Sequence, residues 1–176
     1  MSEKKNTRLK NILNDLSSSE EKKVLTAIKQ LRKHGKPEAI KPIIELLKNT
    51  SNETVKSEVI SLLYDLKEQN VVDEIILAIK DDYFINEKSI LISIFWQASL
   101  DGSEYLSTFV KEAIKGDYLT CIEVLTVIEN FDATFQETEV EDLKFDLDEA
   151  ISQEETEKRN LLIGIRQVLD EVNLEF

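Results

Sequence analysis

The feature that most constrains the fold of this chain is an internal repeat of about 32 residues. The segment Ile60–Tyr64 (ISLLY) matches Ile92–Trp96 (ISIFW) position by position at that offset. The overlapping run Leu91–Ile94 returns 33 residues later at Val124–Val127 and a further 38 residues later at Leu162–Ile165. A repeat of this length is typical of a unit that cannot bury its own apolar face and stacks on its neighbours instead.

Each half of the repeat has the periodicity of a helix. The apolar residues of 55–66 follow the i, i+3/i+4, i+7 spacing of one helical face. Segments 71–80 and 89–97 are rich in β-branched residues, but they recur in two-helix units without hairpin turns, so we predict helices there as well. The predicted helices are 7–17, 19–34, 37–49, 52–67, 70–81, 85–100, 103–116, 118–131, 138–151 and 156–173.

Two glycines mark predicted helix ends. Gly35 follows a helical segment and can adopt a positive φ angle, and Pro37 is suited to open the next helix. Gly102, in the sequence Asp101-Gly102-Ser103, is predicted to play the same part later in the chain.

These patterns predict an all-α fold, a right-handed α-solenoid of four to five helical hairpins with roughly ten helices. We expect a single repeat domain over 1–176. Its repeats are predicted at about 19–50, 51–82, 83–117 and 118–155, with a half-repeat helix at 7–17 and a capping helix at 156–173.

The segment 35–49, GKPEAIKPIIELLKN, resembles the turn and second helix of a HEAT repeat, in the short form that is also seen in bacterial HEAT-like proteins. The later copies lack its prolines. The resemblance implies an α-solenoid whose second helices line a concave surface, and a role as a scaffold or adaptor for other proteins.

Charge is distributed unevenly along the chain, whose formal net charge is −13. Residues 1–50 hold 12 Lys and Arg against 6 Asp and Glu, or +6, and residues 51–176 hold 10 against 29, or −19. A strongly negative protein repels phosphate backbones, so nucleic acid is an unfavourable partner except at the basic start. The two halves could also attract each other between copies, which leaves self-association open.

Composition excludes several other classes of protein. One Cys cannot form an internal disulfide framework, and one His cannot build a multi-histidine metal site, so we predict no metal and no cofactor. No window of about 20 apolar residues could span a bilayer, and the first residues do not have the pattern of a signal peptide. We therefore expect a cytoplasmic protein with no membrane association.

Acidic residues concentrate in 132–157, where Lys144 is the one basic residue. Such a segment can attract a basic partner protein, or it can be a solvated helix face that maintains solubility. The acidic residues predicted to contact a partner are Glu137, Glu139, Glu141, Asp142, Asp146 and Glu149.

Four aromatic residues are further candidates for partner contacts. Tyr64 and Trp96 occupy equivalent positions of successive repeats and could form a ladder for a peptide, or could pack between repeats. Phe131 and Phe135 fall where the repeat gains about five residues. On a loop they could anchor a partner, and alternatively they could fold back onto the adjoining helices.

No catalytic constellation is readable, so we predict that the chain is not an enzyme. HEAT-repeat hydroxylases of the deoxyhypusine type use repeated His-Glu pairs, and His34 is the one histidine here. HEAT-like DNA glycosylases use a basic groove, which the acidic second half opposes. The leading prediction is a non-enzymatic protein-binding scaffold that contacts its partner through the acidic half. The alternatives are phosphate or nucleic-acid contact by the basic first repeat, and a self-associating structural protein.

Overall fold

The structure, a computed structural model, describes residues 2–34 and 36–175. The predicted helix end at Gly35 lies outside the described residues. The chain divides into two compact units, one up to Glu87 and one from Lys88 onward. The division falls inside the segment predicted as the third repeat.

The first unit consists of helices whose apolar stripes face one another. Its helices are α1 (Ser2–Leu16), α2 (Glu21–His34), α3 (Ile40–Asn49), α4 (Glu53–Tyr64) and α5 (Val72–Lys80). Short 3-10 turns at Pro37–Ala39 and Gln69–Val71 lead into α3 and α5, and Asp82–Glu87 is a further 3-10 segment. Pro37 opens its turn, as predicted, because its missing N–H needs no partner there.

Packing in the first unit follows the helical periodicity of the sequence. In α3, Ile40, Ile43, Ile44 and Leu47 are all buried, at the spacing of one helical face. The unit is connected by contacts of α1 with α3, α2 with α4 and α3 with α5. The start of α4 is capped by Asn52, whose side-chain oxygen accepts a hydrogen bond from the Val55 backbone N–H at 3.1 Å.

The second unit contains five helices and two very short strands. The helices are α6 (Lys88–Gln97), α7 (Leu106–Lys115), α8 (Tyr118–Ile128), α9 (Glu137–Gln153) and α10 (Lys158–Glu171), and the strands are β1 (Thr134–Gln136) and β2 (Asn173–Glu175). A 3-10 turn at Ser103–Tyr105 precedes α7. Helix α8 packs against α6 and α10, and α7 packs against α9. The β-branched segments therefore form helices, as predicted.

The end of α6 differs from the prediction. Among the described residues the positive φ angle belongs to Ser99, at 55°, and not to Gly102. The Leu100 backbone N–H donates to the Phe95 carbonyl at 2.9 Å, which is the six-to-one bond of a Schellman motif with Ser99 in its left-handed position. Gly102 is needed for a different reason, because a Cβ there would lie 2.7 Å from Cδ1 of Phe95.

The segment after α8 is also not the plain loop that the sequence predicts. Residues 134–136 form β1, which pairs in parallel with β2, with Phe135 opposite Leu174. Phe135 points inward and is buried, while Thr134 and Gln136 are exposed. Because successive side chains of a strand point to opposite faces, the Phe135 ring enters the core while its two neighbours remain in solvent.

The all-α prediction is confirmed, and ten α-helices lie within the described residues. The right-handed solenoid, the HEAT-like repeats and the single repeat domain stay predictions. Within the described residues, no helix combines the length and the apolar character that crossing a membrane requires.

Candidate functional site

Helix α9 carries most of the acidic segment, and its carboxylates fall into two groups. The helix buries Val140, Leu143 and Leu147, which fixes its orientation in the second unit. One group of carboxylates forms ion pairs with basic residues of α9 and α10. The other group lines cavities that α9 forms with α7.

The α10 side of α9 is neutralised internally. Lys144 Nζ lies 3.0 Å from Glu141 Oε1 and 3.1 Å from Asp170 Oδ1. Arg166 contacts Asp148 Oδ1 at 3.2 Å and Asp170 Oδ1 at 2.7 Å. The hydrogen bond from Arg166, and to a smaller extent the one from Lys144, holds the pKa of Asp170 below its usual range. These carboxylates are therefore already partnered within the unit.

The α7 side of α9 is different. Two cavities of about 600 and 510 Å³ lie between α7 and α9, and Lys111 and Asp146 contribute to both. Phe145 borders the second cavity with 70% of its surface exposed. We name this surface the α7–α9 groove; its acidic wall is formed by Glu139, Asp142, Asp146 and Glu149. Within the described part of the chain, none of these four carboxylates has an ion pair within 4.0 Å.

The structure thus brings four of the six predicted acidic residues together and separates the other two. Glu141 belongs to the neutralised side, and Glu137 lies in the first turn of α9. Phe145 was missed by sequence reasoning. Its exposure was predictable from the sequence, because Phe145 does not fit the Val140–Leu143–Leu147 spacing that defines the buried face.

Two of the predicted aromatic residues meet in one cavity. Trp96 and Phe131 both line a space of about 460 Å³ at the end of α6, together with Asp101 and Asp132. The Trp96 side chain is 40% exposed, and its indole N–H donates to Glu123 Oε2 at 2.8 Å. We name this space the aromatic–acidic cavity.

The other two aromatic residues lie elsewhere. Phe135 is buried, with 7% exposure, and its ring centroid lies 6.3 Å from that of Phe131. The prediction that Phe135 could anchor a partner from an exposed loop is therefore corrected, because its ring packs inward from β1. Tyr64 is half-buried at the end of α4 in the first unit.

Buried charges brace the second unit beneath these surfaces. Lys88 Nζ lies 2.6 Å from Glu112 Oε2, and both side chains are almost fully enclosed. Lys158 Nζ donates to the carbonyls of Ile114 and Gly116, each at 2.7 Å, and so satisfies the end of α7 from α10. Burial raises the pKa of the Cys121 thiol to about 11, so the group is a neutral core side chain.

In the first unit, several basic side chains have acidic partners. Arg32 pairs with Asp65 and Lys23 with Glu20, while Lys48 lies 3.6 Å from Glu87. Lys48 Nζ also lies 4.5 Å from the centre of the exposed Tyr83 ring. These contacts lower the positive charge that the basic first repeat can offer to a phosphate.

Within the described residues, no group of three or more His, Cys, Asp or Glu side chains is arranged to hold a metal ion. Comparison of the chain with protein-family models, curated proteins and solved structures gives no match.

Proposed function

We propose that this protein is a non-enzymatic binding scaffold that contacts a basic partner protein through the α7–α9 groove. The observation that carries the proposal is the acidic wall itself: four carboxylates without ion pairs in the described chain line the groove, and an exposed Phe145 lines its second cavity with three of them. The HEAT resemblance of residues 35–49 supports the same class of function.

Electrostatics favour a basic partner at this wall. Glu139, Asp142, Asp146 and Glu149 are spaced three, four and three residues apart along α9. Like charges at these spacings destabilise a helix by roughly 0.2–0.5 kcal/mol per pair. A partner bearing Lys or Arg would relieve that repulsion and would also be steered toward the surface.

Phe145 adds an apolar contact beside the charged wall, in the second cavity of the groove. A large side chain that is mostly exposed leaves apolar surface in water, where burial would contribute about 25 cal/mol per Å². An aromatic ring surrounded by polar residues is the arrangement of a binding anchor with a polar rim. We therefore expect the partner segment to combine basic residues with an apolar side chain.

The opposite wall contributes positive charge. Lys111 and Lys115 line the groove from α7, and both side chains are exposed. A groove with one acidic and one basic wall discriminates between the two orientations of a charged segment, because the wrong orientation places like charges together. The proposal therefore includes a fixed direction for the bound segment.

A capture experiment tests this function. Immobilised full-length protein is compared with the variant D142N/D146N/E149Q and with F145A, each incubated with cell lysate at physiological ionic strength. The control E155Q/E157Q/E171Q removes the same charge from residues outside the groove lining. We expect one protein to be retained by the wild type and the control, and lost from both groove variants.

Other outcomes would contradict the proposal. Identical retained proteins for the wild type and the groove variants would remove the groove as the contact surface. Retention of nucleic acid alone would favour the phosphate-binding alternative. A mass above that of the monomer, falling at high salt in light scattering, would favour self-association.

A further inference from the structure

The aromatic–acidic cavity has the chemistry of a site for an organic cation. We propose that it binds the guanidinium group of an arginine side chain presented by the partner protein. The inference rests on the proposed function for the source of the arginine, but the cavity can be tested without that partner. Its volume of about 460 Å³ is in the range of pockets that enclose small ligands.

Aromatic rings provide the first part of the site. Trp96 of α6 presents an exposed indole. Its hydrogen bond to Glu123 of α8 fixes the orientation of the ring. Phe131 packs against two further rings, with its ring centroid 5.8 Å from that of Phe109 and 6.3 Å from that of Phe135. A cation over the face of such rings is attracted by their negative quadrupole, most strongly at Trp.

Carboxylates provide the second part. Asp101 Oδ1 accepts the Ser103 backbone N–H at 2.9 Å, which fixes that side chain at the cavity wall. Asp132 is exposed and has no hydrogen bond or ion pair to another described residue. No Lys or Arg is present among the residues that line the cavity, all of which are described. The charge of the lining is therefore negative and selects a cation.

The planar shape of the guanidinium favours arginine over lysine. A guanidinium can stack on an indole and donate a fork of two hydrogen bonds to a carboxylate, and it is more weakly hydrated than an ammonium group.

The backbone around the cavity is held in a defined conformation. The Schellman motif fixes the backbone of Leu100, which lines the cavity, and Gly102 lets the following segment lie directly against Phe95.

Trp96 is the one tryptophan of the chain, so intrinsic fluorescence reports directly on this cavity. The full-length protein is titrated with acetyl-Gly-Arg-Gly-amide, with the matching lysine and trimethyllysine peptides, and with the citrulline peptide. Citrulline keeps the shape of arginine but is neutral. We expect a saturable change with the arginine peptide, binding about three-fold weaker or more with lysine, and no saturable change with citrulline.

Variants locate the binding. D132N should weaken the arginine peptide about five-fold through the loss of one charge contact. The control E104Q removes the same charge from an exposed residue of the neighbouring turn that does not line the cavity, and should leave binding unchanged. F131L keeps an apolar side chain but removes the ring, and should also weaken binding. Far-UV circular dichroism confirms that each variant is folded.

Several results would overturn the inference. These are the absence of any saturable change, equal binding of the arginine and citrulline peptides, tighter binding of the lysine or trimethyllysine peptide, and equal effects of D132N and E104Q. Failure here with loss of the captured partner in the groove variants would remove only the arginine site. Peptide binding together with an unchanged capture pattern would remove the proposed function of the groove and keep the cavity.

Discussion

The buried pair Lys88–Glu112 gives the sharpest prediction about stability. The two charged atoms lie 2.6 Å apart, and the side chains of Lys88 and Glu112 are only 6% and 8% exposed. Replacing Glu112 with Leu leaves the Lys88 ammonium in the core without this carboxylate. Removal of one member of a buried pair typically costs about 3–5 kcal/mol, because the remaining desolvated charge loses the attraction of its opposite partner.

The double variant K88M/E112L separates the charge effect from packing. Two apolar side chains of similar volume leave no charge in the core, so we expect the double variant to recover most of the stability lost in E112L. The coupling free energy between the two sites should be about 2 kcal/mol or more.

Urea unfolding followed by Trp96 fluorescence measures both effects, since Trp96 lies on the same helix as Lys88. With an m-value of about 2 kcal/mol/M, a loss of about 3 kcal/mol lowers the midpoint by about 1.5 M. The reasoning would be refuted if E112L shifted the midpoint by less than a quarter of that amount, or if the double variant lost the sum of the two single effects.

Three further predictions concern turns and caps of the second unit. Gly102→Ala should cost about 1–3 kcal/mol in thermal or urea unfolding, because the new Cβ would lie 2.7 Å from Phe95. Ser99→Gly should raise stability by about 1 kcal/mol, because glycine adopts the φ of 55° without steric strain; a loss of stability would contradict this. Asp117 accepts the Thr120 backbone N–H at 2.8 Å at the start of α8, and this bond holds the pKa of Asp117 below its usual value of 3.8. Asp117→Ala should therefore cost about 1 kcal/mol at neutral pH, and Asp117→Asn much less. Because the folded-state pKa is the lower one, this stabilisation is full above the unfolded-state pKa and is lost as the pH falls through the folded-state value, so acid titration of the wild type and Asp117→Ala should converge.

Helix positions were predictable because burial follows a periodicity that the sequence displays directly. The spacing of Ile40, Ile43 and Ile44 predicts one buried face of α3, and the structure buries all three. The end of α6 was not predictable in the same way. Glycine is the usual residue at a left-handed position, so the sequence indicates Gly102, whereas the Schellman hydrogen bond selects Ser99.

The candidate site was predictable in composition but not in arrangement. Sequence identifies α9 as acidic, but the division between partnered and unpartnered carboxylates depends on ion pairs of Lys144 and Arg166 between α9 and α10, and these pairs have no local signal. The burial of Phe135 depends on β2, a three-residue strand far along the chain. Pairings this short and this distant have no periodicity that a sequence pattern could reveal.

The β1–β2 pair also bears on how the second unit opens. The strands bracket α9 and α10, so the pair of helices that carries the acidic wall is joined at the end opposite its turn by backbone hydrogen bonds between residues 134–136 and 173–175. Separating α9 from α7 without breaking this strand pair would require α9 and α10 to move together. Amide hydrogen exchange should therefore show the hydrogen-bonded amides of the two strands and of the α9–α10 hairpin opening as one cooperative unit.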